Sequence, residues 1–482
     1  MMDITRIYDT EFENYLDLHI DNVTSSHNDN QSISNTTTTI TQFKKPDFDP
    51  NDTYGLSGLM NMGNTCYMNA TLQCLSKTVC FNDFMIDEEL YENVFHNFLT
   101  ENINDHLAKK AIKEKNLSED IETVDILLED INQMIHSSLT YCIHKLFRQM
   151  WLENCVITPK LFKKAISNIP NSIFKGYSQH DSQEILSFIL DKIHEECKTT
   201  NINIEYDKIP KSVVKLMNLK NKINKKIKKT SSDEKIKEYT LLYNTYIKEH
   251  YDDFIIYKSI IQWSKYIETN GCSLITDLFC GQYITNILCK QCNNQSPTFD
   301  TFMGVINVPI PDKCDTTLDD CLMEFIKDET LDGSNKYSCD KCKIHTDAIK
   351  NMKLFKLPPI IIIQLKRYKS NGHHQMKNNT NVIFPINDLT FDKYMSSFVK
   401  DNSKYNLFAV TQQIGSLNGG HYIAYGLNPI NKKWYQYDDS NTSYIPDDKL
   451  KQEIYTNKSY ILYYQKQVEY HDTDDITLNE FD

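Results

Sequence analysis

The chain has 482 residues, 40% of them hydrophobic and 24% charged, with a formal net charge of −13. That length exceeds one average domain without requiring three, and the composition supports a large soluble core. The acidic balance argues against broad nucleic-acid binding and favours a basic partner, and no run approaches the roughly 18 consecutive apolar residues of a membrane helix.

In chain order, Ile7 to Ile20 carries a short helical pattern, and Thr24 to Gln42 is polar without periodicity, so residues 1–53 read as a mostly disordered tail. The first residues are not a basic and then apolar leader, so no secretory signal is expected. Order is expected from Tyr54. In Cys66 to Lys77 the apolar Met68, Leu72 and Leu75 share one helical face, and Asn64 or Thr65 is placed to cap it. Asp105 to Gln149 reads as helical, with Ile121, Val124, Leu127, Leu128, Ile131 and Ile135 as its apolar positions. Asp181 opens a further helix with Glu184 at the third position, the arrangement of a capping box, and Ile185, Phe188, Ile189 and Ile193 form its buried stripe.

Residues 198–270 change character. They hold the basic run Asn221 to Lys229 and read as a helical insertion, a solvated spacer with a loop near Thr230 to Asp233. From Cys272 the period becomes that of strands: Ile360–Leu365, Leu407–Thr411, His421–Gly426, Trp434–Tyr437 and Tyr460–Gln465 are short and rich in β-branched or aromatic residues. The acidic residues 467–482 read as a frayed tail.

Three segments carry chemistry. Cys66 lies at a predicted helix start, where the macrodipole favours the thiolate, and Gly63 allows a tight turn before it. Taken alone, it fits a buried structural cysteine better than a nucleophile. A nucleophile needs a base, and the base needs a group to orient it. GGHYIAY supplies His421 after Gly419 and Gly420, whose small size suits a slim substrate chain passing close to the backbone. WYQYDDS supplies Asp438 and Asp439, and antiparallel pairing of the two strands places Asp438 beside His421. By itself His421 also fits a core histidine, and the two acids fit turn residues.

The 14 cysteines lie far below disulfide-scaffold density and read as reduced thiols of an intracellular chain, cytoplasmic or nuclear. Two Cys-x-x-Cys pairs stand out: Cys289 with Cys292, and Cys339 with Cys342. Together they offer four thiolates, the number and softness for a structural, tetrahedral Zn²⁺ with no open position. Two unbound pairs in a strand hairpin are the alternative.

Taken together, GLMNMGNTCYMNATLQCL and GGHYIAYGLNPINKKWYQYDDS resemble the Cys and His boxes of the ubiquitin-specific proteases. The intervening blocks GYSQHDSQEILSFILDKIHEE, SLITDLFCGQYITNILCKQC, LPPIIIIQLKRY and SYILYYQK follow in the same order. The resemblance implies an α+β, papain-like cysteine peptidase with a helical thumb, a β-rich palm and zinc-braced fingers. It implies a catalytic domain over 54–466, with the 198–270 insertion and fingers over 272–355. It places Asn61 at the oxyanion hole, Asp439 at an assisting acidic position, and Asp181 and Glu184, with Gly419 and Gly420, along the path of the ubiquitin tail. The four cysteines of the two pairs match the zinc site at the finger tips. Many relatives carry His where this chain has Gln413, a position that is not the general base. The activity implied is hydrolysis at the ubiquitin C-terminal glycine through an acyl-thioester, with ubiquitin and ubiquitinated proteins as partners. Alternatives are the same chemistry on a ubiquitin-like modifier, a ubiquitin-binding scaffold without turnover, and a general papain-like protease.

Overall fold

The computed structural model describes residues 54–88, 134–199, 209–370, 375–416 and 419–467. The expectations for both tails, and for Ile121 to Ile131, lie outside the described residues. Helix α1 (Cys66–Ser76) lies at the centre of the helical layer, and every one of its residues is buried. The apolar stripe of Met68, Leu72 and Leu75 shows one face only. The polar side is buried as well because its side chains find main-chain partners: Gln73 Nε2 donates to the Ser57 carbonyl at 2.8 Å, and Thr71 Oγ1 to the Tyr67 carbonyl at 2.9 Å. Thr65 occupies the position before the helix but makes no capping bond. Its hydroxyl is used upstream instead, accepting from the Met62 N–H at 2.9 Å and donating to Asn61 Oδ1 at 3.3 Å.

Around α1 pack α2 (Val79–Ile86), α3 (Leu139–Leu152), α4 (Lys160–Asn168) and α5 (Ser182–Cys197). The short strands β1 (Gly58–Leu59) and β2 (Val156–Ile157) pair in parallel at one edge of this layer. Asp181 caps α5, accepting from the Gln183 N–H at 2.7 Å, and Ile185, Ile189 and Ile193 are fully buried. No reciprocal bond from Glu184 closes a capping box; Glu184 is exposed. The second oxygen of Asp181 is taken by the Tyr460 hydroxyl, so this end is tied to the sheet instead.

The insertion forms α6 (Lys211–Lys228), α7 (Asp233–Glu249) and α8 (Tyr251–Asn270). It is more than a spacer. Val213, Leu216 and Met217 meet Tyr243, Ile247, Phe254 and Tyr257 in a core of their own. The opposite side of α8 buries Ile255 against Ile284, Phe299 and Phe355 of the neighbouring sheet. The lysines of α6 are the solvated side of this amphipathic bundle.

Strand character begins later than Cys272. A helix, α9 (Leu274–Phe279), intervenes, started by a capping box between Ser273 and Thr276. The fingers are a four-stranded sheet of β3 (Cys280–Cys289), β4 (Gln295–Met303), β6 (Glu329–Leu331) and β9 (Ala348–Lys356), with a hairpin of β7 (Tyr337–Cys339) and β8 (Ile344–Thr346) at the tip. The palm is an eight-stranded sheet whose main path runs β14-β13-β12-β11-β15-β10-β5. These are β5 (Val305–Pro309), β10 (Ile360–Lys366), β11 (Lys404–Ser416), β12 (Gly419–Leu427), β13 (Trp434–Asp438), β14 (Asn441–Ile445) and β15 (Ser459–Lys466). β5 and β10 are parallel and the other neighbours antiparallel. Both faces are buried, and side chains alternate between them. Ile360 and Ile362 face the helical layer while Ile361, Ile363 and Leu365 face a second core closed by α10 (Leu318–Phe325) and α11 (Asp447–Ile454). In β15, Tyr463 faces the first core and Leu462 and Tyr464 the second.

Candidate active site

Cys66 is the first residue of α1, at the seam where the helical layer meets β12. The residue is 3% exposed. Burial pushes the Cys66 thiol above its ordinary value, bonds from the backbone N–H groups of Tyr422 and Tyr67 pull it down, and the Asp439 charge pushes it up. The macrodipole expectation of a lowered pKa is therefore reversed in the free protein: desolvation outweighs the helix end.

His421 lies on β12 and Asp438 ends β13. The antiparallel register pairs Ala424 with Tyr437, and this places His421 Nε2 2.6 Å from Asp438 Oδ1. The pair is half-exposed, at 38% and 45% of their side-chain surfaces. Nδ1 of His421 is left for the thiol. Among the described residues, no hydrogen bond joins His421 to Cys66; the Tyr422 N–H, one residue along the same strand, reaches the sulfur.

Asp439 follows in a two-residue turn between β13 and β14, at φ +48°. Asn and Asp tolerate this left-handed conformation better than most residues. Its carboxylate ties the two layers together. Asn61 Nδ2 donates to Oδ2 at 2.9 Å and Asn69 Nδ2 to Oδ1 at 2.8 Å, while its carbonyl accepts from the Leu59 N–H at 2.8 Å. Asn61 Oδ1 in turn accepts from the N–H groups of Gly63 and Thr65 at 3.0 and 3.1 Å. The Asn61 side chain is thus held from both ends beside the nucleophile.

Gly419 and Gly420 are not equivalent. A Cβ at Gly420 would collide with the Gln413 side chain and the Ile414 carbonyl, whereas at Gly419 the nearest atom would be Ser416 Oγ at 3.9 Å. Strand neighbours crowd the side of Gly420 where a Cβ would stand, which requires glycine there, while both glycines keep exposed surface; among the described residues Gly419 has open space around its Cα. The Gly420 backbone is bracketed by Gln179, whose Oε1 accepts from its N–H at 3.1 Å and whose Nε2 donates to its carbonyl. Gln413, where many relatives carry His, holds the loop before His421: it accepts from the Tyr368 hydroxyl at 2.7 Å and donates to the Ser416 carbonyl at 2.8 Å. Asp181 is largely buried, and burial foremost raises its pKa.

Asn69 and Gln179 were not legible as site residues. The signal for Asn69 is its place three residues after Cys66, an amide in an otherwise tightly packed helix. Gln179 has none beyond its neighbourhood to Asp181, because its partner is a backbone distant in sequence.

At the finger tips the two Cys-x-x-Cys pairs converge. Cys289 and Cys342 sulfurs lie 3.9 Å apart, those of Cys292 and Cys339 3.7 Å, and all four within 4.8 Å of one another. Four thiolates at the Zn–S length of about 2.3 Å on the corners of a tetrahedron lie about 3.8 Å apart. The donor set and its spacing fit a tetrahedral metal. Each pair sits on a matching turn, with Asn293 and Lys343 at φ +52° and +60° just after the second cysteine.

A family model described as ubiquitin carboxyl-terminal hydrolase matches residues 57–464. The chain belongs to the ubiquitin carboxyl-terminal hydrolase family, and with it to the thiol-dependent deubiquitinating proteases. A probable ubiquitin carboxyl-terminal hydrolase of Acanthamoeba polyphaga mimivirus is 29% identical over 462 residues, covering 91% of this chain and 96% of the relative. Ubiquitin carboxyl-terminal hydrolase 2 of Homo sapiens is 29% identical over 85% of this chain and 55% of its own length. The chain therefore spans nearly all of the viral relative and about half of the human one. Among solved structures, a chain of the SAGA DUB module bound to monoubiquitin superimposes with a TM-score of 0.55 at 21% identity, over 96% of this chain and 76% of that one. That likeness shows the α+β fold with its fingers and palm.

Proposed function

We propose that this hydrolase cleaves the bond after the ubiquitin C-terminal glycine with Cys66 as nucleophile, His421 as general base and acid, and Asp438 as the group that orients the imidazole. The observation that carries the reading is the 2.6 Å His421–Asp438 pair on strands that flank the buried Cys66 thiol. With Nε2–H donated to Asp438, Nδ1 is free to take the thiol proton. Burial raises the thiol pKa, which favours transfer of its proton to His421 as attack begins. His421 then protonates the leaving lysine amine, and water, deprotonated by the same imidazole, hydrolyses the thioester. Asn61, held by Asp439, donates to the developing oxyanion; one such donor is worth about 10²–10³ in rate.

Asp181 and Glu184 are proposed to meet the arginines of the ubiquitin tail, with Gly419 lining its path. Cys289, Cys292, Cys339 and Cys342 are proposed to hold a structural Zn²⁺, which braces the fingers and takes no part in the reaction. We propose an intracellular location, cytoplasmic or nuclear, a reading supported by fourteen cysteines with no disulfide among them. Release of fluorophore from a ubiquitin C-terminal amide tests the whole reading. Wild type should turn over and Cys66→Ser should neither turn over nor react with an electrophilic ubiquitin probe. Binding without release by wild type would favour a scaffold, and release only from a ubiquitin-like substrate would favour that modifier.

A further inference from the structure

Lys77 follows α1 and caps its C-terminal end, its backbone N–H bonding the Cys74 and Leu75 carbonyls. Its side chain turns inward rather than to water and the residue is 1% exposed. Nζ donates to the Gly55 carbonyl at 2.9 Å and to Ser76 Oγ at 3.2 Å. It lies 5.0 Å from the centre of the Trp151 ring and 4.7 Å from that of Tyr437. The Tyr437 hydroxyl donates to the same Gly55 carbonyl at 3.2 Å. Gly426 passes so close to the lysine stem that a Cβ there would lie 3.0 Å from Lys77 Cγ. Among the described residues no carboxylate pairs with this ammonium. It is held by two ring faces, a carbonyl, a hydroxyl and the negative end of α1.

A buried, unpaired cation is an expensive way to fill space, and Met or Leu would fill it without desolvation. What distinguishes Lys77 is the set of elements that meet at it. Tyr437 directly precedes Asp438 on β13. Gly426 belongs to β12, the strand of His421. Gly55 begins the segment that leads through β1 to Asn61. Lys77 itself is the far end of the helix that starts with Cys66. We propose that Lys77 is a positioning residue for the hydrolase reaction, its buried ammonium holding the elements of Cys66, His421, Asp438 and Asn61 in one register. The inference rests on the roles given to those four residues above.

The charge of Lys77 is conditional. Burial brings its pKa down to about 7. The titratable groups facing it are Cys74 on α1 and Tyr437 on β13. Burial pushes the first up to about 12 and the second above its ordinary value, so both stay neutral. From α3, β12 and the segment before β1 come Trp151, Gly426 and Gly55, none of them ionisable. As pH rises the ammonium is lost, and with it the clamp. Stability moves the other way. Between the lowered folded value and the ordinary lysine value of about 10.4, the unfolded chain holds the extra proton, so stability rises with pH. Activity and stability therefore diverge on the alkaline side, which a merely structural side chain would not produce.

The test uses the full chain and a fluorogenic ubiquitin amide, from about pH 6 to about pH 9. Lys77→Met should stay folded with an equal or higher melting midpoint at the acid end. Its kcat near neutrality should fall about tenfold, with KM within about twofold, and the wild-type decline of kcat on the alkaline side should disappear. Wild-type kcat with an unchanged alkaline limb in Lys77→Met would overturn the proposal. Should that variant fail to fold, Tyr437→Leu removes one ring face and should move the alkaline limb down by about half a pH unit; an unmoved limb overturns it equally. Cys66→Ala is run in parallel. Turnover that survives Cys66→Ala defeats the catalytic assignment, whereas a silent Lys77→Met beside a dead Cys66→Ala defeats only the clamp.

Discussion

Asp439→Ala removes the junction between the helical layer and the turn after β13, and its cost can be worked from the two side-chain hydrogen bonds it breaks. Asn69 is buried, and its 2.8 Å bond to a charged acceptor belongs to the class worth about 1.5–3 kcal/mol. Asn69 Nδ2 keeps the Leu59 carbonyl at 3.2 Å, so the lower end applies. The Asn61 bond is exposed and adds about 0.5 kcal/mol. A loss of about 2 kcal/mol in all corresponds to a melting midpoint lower by only about 2–3 °C in a folded unit of this size. Catalysis should suffer more than stability. Asn61, freed at one end, loses its aim at the oxyanion, and kcat should fall about 10²-fold with KM changed less than about twofold. The thiol should respond in the opposite sense. The Asp439 charge pushes the Cys66 pKa up, so removing it should speed alkylation of Cys66 by iodoacetamide at neutral pH. Asp439→Asn tolerates the left-handed turn and keeps one acceptor oxygen for two donors, so it should lie between wild type and Ala in kcat while matching Ala in alkylation. Fluorogenic turnover and alkylation rates measured on the same preparations decide the matter. If both fall together, or if kcat is unchanged, Asp439 does not act by holding Asn61.

Elemental analysis should find about one zinc per chain, and Cys289→Ser should lose it together with several degrees of melting midpoint; a zinc-free wild type that melts normally contradicts the metal reading. Gly420→Ala should cost roughly 1–3 kcal/mol through the collision with Gln413 and Ile414, measured by denaturant unfolding. Gly419→Ala has open space and should keep its stability, so a KM increase of about tenfold there would report the ubiquitin tail, and an unchanged KM would remove Gly419 from its path. Burial raises the Asp181 pKa, so the carboxylate is lost on acidification above the ordinary aspartate value of about 3.9, and KM for ubiquitin should climb as pH falls through that raised value. Asp181→Asn retains a capping oxygen but loses the acceptor of the Tyr460 hydroxyl, so it should show a high, pH-independent KM with stability lower by about 1 kcal/mol; a KM that still follows pH assigns the effect elsewhere.

What was legible in the amino-acid order was local. His421 and Asp438 could be paired because two short strands separated by a turn have few ways to lie together, and the two Cys-x-x-Cys turns announce their ligands by spacing alone. The last strands were legible for the same reason: Ile360–Ile363 of β10 and Tyr460–Tyr464 of β15 are runs without polar alternation because both faces are covered. The capping box at Asp181 is only half made: Asp181 caps the Gln183 N–H and is tied to Tyr460, far along the chain, while Glu184 stays exposed instead of bonding back. Helix α9 was missed because six residues are too few to establish a period. The insertion's basic run correctly marked a solvated face but hid the apolar stripe of Val213, Leu216 and Met217 opposite it, which makes a core only when α7 and α8 are brought in.

The Cys66 thiol shows where such reading stops and why that matters for mechanism. A helix start is visible in sequence, and it favours the thiolate. Whether the thiolate exists at rest depends on how deeply the sulfur is buried, which is set by β12 crossing over it, more than three hundred residues later. Here burial wins. The same packing brings the Tyr422 N–H to the sulfur and leaves His421 paired with Asp438 but unbonded to Cys66. A buried thiol of raised pKa is a poor target for stray electrophiles, and its activation requires a hydrogen bond to His421 that the free protein does not make. A ubiquitin tail seated beside Gly419 and the Gln179-bracketed Gly420 backbone would press on the strand that carries His421. Substrate binding and thiol activation are then one event on one strand, so a reactive ubiquitin probe should modify Cys66 far faster than iodoacetamide does. Equal rates for the two reagents, at matched concentrations, would place the activated thiol in the free protein and refute this coupling.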